Sequence, residues 1–286
     1  SADELIERAK IAHIIVTNKV VFNQAVLSQL PELQHIACIA TGYNNVDIDY
    51  CRDHNISVSN IRGYATDSVP EHTLALILAL RRHVLAYQYA VQAGEWQRSS
   101  FFHRYLQPTL DLKESQIGLI GGGELGQAMA NLARALGMKV RFADRKGKAP
   151  SGRPGYDSFD KIISQSDIIS LHCPLTPDTE NLITLTEMQQ MKSTALLINT
   201  SRGGLVNEAD LAAGIEQHLI AGAGLDVTTV EPIKENNPLL TLMDRPNFIL
   251  TPHVAWTSDK AMQTQADQLI DIIEGVVQGN YQNRVV

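Results

Sequence analysis

Three polar groups stand directly behind apolar runs. Leu196-Leu197-Ile198-Asn199-Thr200-Ser201 leads into Arg202. Gly224-Leu225 leads into Asp226, with Glu231 five residues on, and Phe248-Ile249-Leu250-Thr251-Pro252 leads into His253. Ligands of open α/β sheets bind beyond the carboxyl ends of strands. If these runs are parallel strands, a guanidinium, an acid and an imidazole reach one edge together. Taken singly, His253 reads as a loop residue, Arg202 as half of a surface ion pair and Glu231 as a solvated turn before Pro232. Taken jointly, beside a dinucleotide, they suit hydride transfer.

The dinucleotide signal lies upstream. Ile117-Gly118-Leu119-Ile120-Gly121-Gly122-Gly123-Glu124-Leu125-Gly126 reads as strand, turn and helix, with G-x-G-x-x-G at 121, 123 and 126. The first glycine permits the tight turn, the second lets a pyrophosphate approach the backbone, and the third lets helix and strand pack closely. Free N–H groups and the positive end of the helix then face the phosphates. The next strand ends in Asp144, at the usual distance of about 20 residues. An acid there accepts from a ribose 2′-OH and repels a 2′-phosphate, which favours NAD. Arg145 beside it keeps NADP open.

Strand-like and helix-like runs alternate along the chain. Strands are predicted at 12–17, 36–41, 56–59, 116–120, 139–143, 168–172, 195–199, 221–227 and 247–251. Helices are predicted at 24–30, 125–136, 208–218 and 258–277, with one long apolar helix over 71–92. Ser1-Ala2-Asp3-Glu4 has the spacing of a capping box. Apolar strands alternating with helices predict parallel sheets covered on both faces. The predicted fold class is α/β: a Rossmann-type doubly wound sheet over 67–256, plus a smaller flavodoxin-like substrate domain built from 1–66 and 257–286. That smaller domain reads as lacking its first strand.

The chain has 286 residues and a formal net charge of −7. Such a surface does not attract nucleic-acid phosphates or anionic lipid. Cys38, Cys51 and Cys173 show no C-x-x-C spacing, and no H-x-x-x-H pair is present, so no metal is expected. No run is long enough for a membrane span and no leader opens the chain, which reads as cytoplasmic.

Several stretches resemble the D-isomer-specific 2-hydroxyacid dehydrogenase family. They are Thr41-Gly42-Tyr43-Asn44-Asn45-Val46-Asp47, Pro70-Glu71-His72-Thr73-Leu74-Ala75-Leu76, the glycine loop, His172-Cys173-Pro174-Leu175-Thr176, Asn199-Thr200-Ser201-Arg202-Gly203-Gly204-Leu205-Val206 and Pro252-His253-Val254-Ala255-Trp256. The resemblance implies NAD-dependent reduction of a small 2-keto acid such as hydroxypyruvate or glyoxylate. Another 2-hydroxyacid dehydrogenase of the 3-phosphoglycerate or lactate type, or an NAD(H)-sensing corepressor-like binding protein, is the alternative.

The resemblance also implies roles. Arg202 would grip the keto acid, His253 would donate the proton, and Glu231 would hold the imidazole. Thr41 and Gly42 would receive the substrate carboxylate through backbone N–H groups. Gly121, Gly123, Glu124, Leu125, Gly126 and Asp144 would hold the dinucleotide, Asp226 its carboxamide, and Cys173, Thr200 and Ser201 would line it. The substrate would sit between two closing domains, and the helix starting near Glu71 would make a homodimer contact. His72 and His83 on that helix read as packing or surface residues.

Overall fold

The computed structural model describes residues 2–286. The expected Ser1 cap lies outside them. The strands are β1 (Ile14–Thr17), β2 (His35–Cys38), β3 (Ser57–Asn60), β4 (Gln116–Ile120), β5 (Lys139–Ala143), β6 (Tyr156–Asp157), β7 (Ile168–Leu171), β8 (Leu196–Asn199), β9 (Gly222–Leu225) and β10 (Phe248–Leu250). The α-helices are α1 (Ala2–Ala9), α2 (Gln24–Leu27), α3 (Ile48–Asp53), α4 (Ser68–Arg81), α5 (Val84–Gln92), α6 (Glu124–Ala135), α7 (Phe159–Gln165), α8 (Leu185–Gln190), α9 (Glu208–Glu216) and α10 (Asp259–Val277). The chain divides into two compact units. One runs to Ala65 and resumes at Thr257–Val286, and the other is Thr66–Trp256.

The smaller unit has a parallel sheet in the order β1-β2-β3. Ile36, Cys38 and Val58 from the sheet pack with Phe22, Leu27 and Cys51. The far edge of β3 is taken by the end of the chain: Val285 N donates to Val58 O at 2.7 Å, and Val58 N to Val286 O at 3.1 Å. α10 is tied to the region after β2 by Gln265 Nε2, which donates to Ile39 O at 2.7 Å.

The larger unit is a seven-stranded parallel sheet in the order β10-β9-β8-β7-β4-β5-β6. Chain order reverses between β4 and β7, the switch point at which doubly wound sheets bind ligands. Alternate side chains serve opposite faces. Leu196 and Ile198 of β8 join the core under α4 and α6, and Leu197 joins the core on the other face. Such two-sided burial is why these strands read as unbroken apolar runs.

The helix expected over 71–92 is two helices. α4 starts at Ser68 and stops at Arg81, and α5 starts at Val84. His83 between them takes a left-handed backbone (φ 53) and its Nε2 meets Pro108 O at 3.0 Å. Arg81-Arg82-His83 contains no glycine or proline, so the break leaves no mark in the sequence. Pro70 falls within the first turn of α4, where its missing N–H costs nothing.

Candidate active site

The parallel order of β8, β9 and β10 places the residues that follow them along one edge. Arg202 follows β8 in a loop pinned from several sides. The buried Asn199 donates through Nδ2 to Arg202 O at 2.8 Å and accepts from Ser201 N at 3.1 Å. Ser201 Oγ donates to Cys173 O at 2.8 Å. Gly203 lies against the Thr228 backbone, where a Cβ has no room. The half-buried Arg202 side chain donates through Nη1 to Ser201 O at 2.7 Å.

His253 and Glu231 meet: imidazole Nδ1 and carboxylate Oε2 are 2.6 Å apart, with the side chains 27% and 29% exposed. Glu231 also accepts from Thr228 N through Oε1 at 3.2 Å. Glu208 of α9 holds the loop that carries Glu231, accepting from Thr229 N at 2.6 Å and Asn237 Nδ2 at 2.8 Å.

His253 takes a left-handed backbone, φ 57, which costs a non-glycine residue about 1–3 kcal/mol and persists only where the surroundings enforce it. Asp226 does the enforcing. Its backbone carbonyl accepts from His253 N at 2.8 Å. Its carboxylate, 1% exposed, accepts from Thr251 Oγ1 and Val254 N through Oδ1 and from Ala255 N at 2.8 Å through Oδ2. Asp226 thus serves the His253 loop first, and any contact with a carboxamide must use the lone pair left over.

At the switch point, Gly121 has φ 112, and a Cβ there would lie 2.5 Å from Cys173 N and His172 C. A Cβ on Gly126 would strike Gly121 O. Gly123 differs: nothing lies within 4 Å of its Cβ position, and it is the N-cap of α6. The loop therefore keeps an open cradle at a helix amino end, which fits a pyrophosphate. Glu124 is exposed and Leu125 half-buried in the first turn of α6.

Asp144 directly follows β5, with its carboxyl held below the usual carboxylate range by hydrogen bonds from Ser151 and then by Arg153. Ser151 N donates at 2.9 Å and Arg153 Nη2 at 3.3 Å. The Arg153 guanidinium stacks 3.8 Å from the centre of the Tyr156 ring. Arg145, which kept NADP open, is exposed, and the guanidinium paired with Asp144 is Arg153. The reading from sequence missed Ser151 and Arg153 because the intervening segment carries Gly147, Gly152, Pro150 and Pro154, so no period fixes where its side chains fall.

Thr200 is buried and its hydroxyl meets Thr73 Oγ1 at 2.8 Å. Burial pushes the Cys173 thiol up to about 11, which leaves it protonated and unreactive. Burial pushes His172 down to about 4, so the imidazole beside the glycine loop is neutral. Thr41, exposed, and Gly42, half-buried, follow β2 in the smaller unit, where Asn60 Nδ2 donates to Thr41 O at 2.8 Å. Among the described residues no cluster of His, Cys, Asp or Glu could hold a metal, and no helix is long and apolar enough to cross a membrane.

The NAD-binding-domain model of the D-isomer specific 2-hydroxyacid dehydrogenases matches residues 74–255. The chain is 45% identical over 283 residues to glycerate dehydrogenase of Methylorubrum extorquens, covering 99% of this chain and 88% of that protein. It is 35% identical to hydroxypyruvate reductase of Blautia hydrogenotrophica, covering 99% of this chain and 88% of that one. Among solved structures, D-lactate dehydrogenase of Aquifex aeolicus, complexed with NAD and lactic acid, superposes with a TM-score of 0.86 at 28% identity, covering 96% of this chain and 86% of that one.

Proposed function

Because the chain belongs to the D-isomer specific 2-hydroxyacid dehydrogenase family and is an NAD-dependent enzyme of that type, we propose that it reduces hydroxypyruvate or glyoxylate to the D-2-hydroxy acid, with His253 as proton donor. The observation that carries this reading is the 2.6 Å bond from His253 to Glu231 at the edge that also holds Arg202. The similarity to a glycerate dehydrogenase and a hydroxypyruvate reductase supports the choice of substrate.

When bound, NADH supplies a hydride to the substrate carbonyl carbon. Arg202 grips the substrate through its carboxylate and carbonyl oxygens, a two-point hold that a lysine ammonium does not provide. His253 Nδ1 stays on Glu231, so Nε2 is the nitrogen that gives its proton to the carbonyl oxygen and takes it back in reverse. Thr41 and Gly42 offer backbone N–H groups to the carboxylate. Gly121, Gly123, Glu124, Leu125 and Gly126 hold the pyrophosphate, and Asp144 holds the adenine-side ribose. Cys173, Thr200, Ser201 and Asp226 line the nicotinamide end.

Exposed apolar side chains concentrate in and after α5, with Trp96 at 50%, Phe101 at 69% and Phe102 at 90%. Surfaces of this kind mark protein contacts, and we assign them to a second copy of the chain. Three free cysteines support a reducing, cytoplasmic setting.

A panel of 2-keto acids with NADH and NADPH, followed at the nicotinamide absorbance band, tests the reading. Hydroxypyruvate or glyoxylate with NADH is expected to give the highest kcat/KM. His253→Ala should lower kcat by about 10²–10⁴ while the NADH Kd stays within a few-fold. Absence of turnover on every 2-keto acid, or a His253→Ala enzyme as fast as wild type, would overturn it.

A further inference from the structure

α4 presents three polar side chains to the loops that carry the reacting groups. Ser68 and His72 are one helical turn apart and share a face, and Thr73 adjoins it. Ser68 Oγ donates to Trp256 O at 3.3 Å. His72 Nε2 lies 3.0 Å from Thr251 Oγ1 and 3.6 Å from Asp226 Oδ1. Thr73 Oγ1 lies 2.8 Å from Thr200 Oγ1, and both residues are buried.

Hydrogen-bond directions follow from the partners. The Thr251 hydroxyl gives its proton to Asp226, so it accepts from His72 Nε2–H. Thr73 gives its hydroxyl proton to Val69 O at 2.8 Å, so it accepts from Thr200. One edge of α4 is therefore bonded to both ends of the segment 251–256, in which His253 sits, and to the segment before Arg202. Trp256 Nε1 closes the first connection by donating to His253 O at 3.1 Å.

We propose that Ser68, His72 and Thr73 are positioning residues: the α4 edge fixes the spacing between Arg202 and His253, so that proton donor and substrate anchor keep one geometry. This rests on the reading of those two residues given above. None of the three α4 side chains touches substrate or cofactor in this assignment. Their effect passes through Thr251, Asp226, Trp256 and Thr200. A misplacement of about 1 Å in a reacting pair costs up to roughly 100-fold in rate.

The test uses the full chain with NADH and its best keto acid. His72→Leu and Thr73→Val remove a donor and an acceptor with little change of volume. Each is expected to lower kcat about tenfold, with the substrate KM and the NADH Kd within twofold. The kinetic isotope effect with deuterated NADH should rise as hydride transfer becomes slower than product release. His72→Gln, which restores a donor near Nε2, should recover most of the rate. Thr73→Val decides the question if His72→Leu does not fold. The proposal is overturned by unchanged kcat in both variants, by kcat, KM and Kd worsening together, or by a His72→Gln enzyme no better than His72→Leu. A fully active His253→Ala enzyme would instead remove the premise, so the two failures are distinguishable.

Discussion

Gly121 and Gly123 sit two residues apart and should fail in different ways. In Gly123→Ala the new methyl meets nothing within 4 Å, and the backbone at φ −72 and ψ −169 accepts any residue. Alanine is a poorer N-cap than glycine by a few tenths to about 1 kcal/mol, and the stiffer unfolded chain offsets about 0.4–1 kcal/mol. Net stability should barely move. The methyl does fill the cradle proposed for the pyrophosphate, where each charge-assisted hydrogen bond is worth about 1.5–3 kcal/mol. Losing one weakens NADH binding by roughly 10- to 100-fold. In Gly121→Ala the methyl lies 2.5 Å from backbone atoms of His172 and Cys173 at φ 112. Overpacking of about 1–3 kcal/mol and backbone strain of about 1–3 kcal/mol then fall on the fold itself. Thermal unfolding and NADH fluorescence titration on both variants separate the two effects. A Gly123→Ala protein that melts like Gly121→Ala, or one that binds NADH normally, would refute the division of labour.

Asp144→Ser should reduce the preference for NADH over NADPH by at least about tenfold, since a like charge facing the 2′-phosphate is costly and Arg153 remains beside it; an unchanged ratio of kcat/KM values would place the ribose elsewhere. Acid should weaken both units. Burial, and for His35 also the nearby Arg284, holds His35 and His172 at about 4 in the folded chain against 6.5 ordinarily, so their contribution is complete above pH 6.5 and is lost as pH falls towards 4. Each histidine costs about 1.4 kcal/mol per pH unit in that window, and urea unfolding that is flat from pH 6.5 to 5 would refute it. Sedimentation at micromolar concentration should give twice the 31.5 kDa chain mass, and Phe102→Glu with Tyr105→Glu should return the monomer; wild-type protein that stays monomeric would refute the assigned partner.

The strands of the larger unit were legible because burial on both faces writes them as apolar runs, and their polar ends could be read off directly. The strand ends brought His253 and Glu231 to one edge, and their pairing was implied by the family resemblance. What was hidden is carried by side chains whose meaning depends on tertiary neighbours. His72 and Thr73 fall in a stretch that carries the resemblance, but nothing in an apolar helix gave them a role, and only the packing of α4 across β8, β9 and β10 brings them to Thr251 and Thr200. Asp226 shows the opposite case: its position was clear, but the N–H groups that fill its carboxylate come from a loop 28 and 29 residues later. The break at His83 was invisible because three ordinary helix-tolerant residues gave no stop signal, and the contact with Pro108 that accompanies it is 25 residues away.

The strand pairing of Val285 and Val286 with Val58 has a consequence for how the molecule is made. During synthesis the segment 66–256 leaves the ribosome with every strand of its sheet already present. The residues before it must wait, because α10 and the residues that close the edge of their sheet are translated after residue 256. Until then Ile36, Val58 and their neighbours lack part of their cover, and β3 offers an unpaired rim to any passing strand. A chain stopped after Trp256 would carry one finished sheet and one sticky remnant, and its solubility would be limited by the remnant.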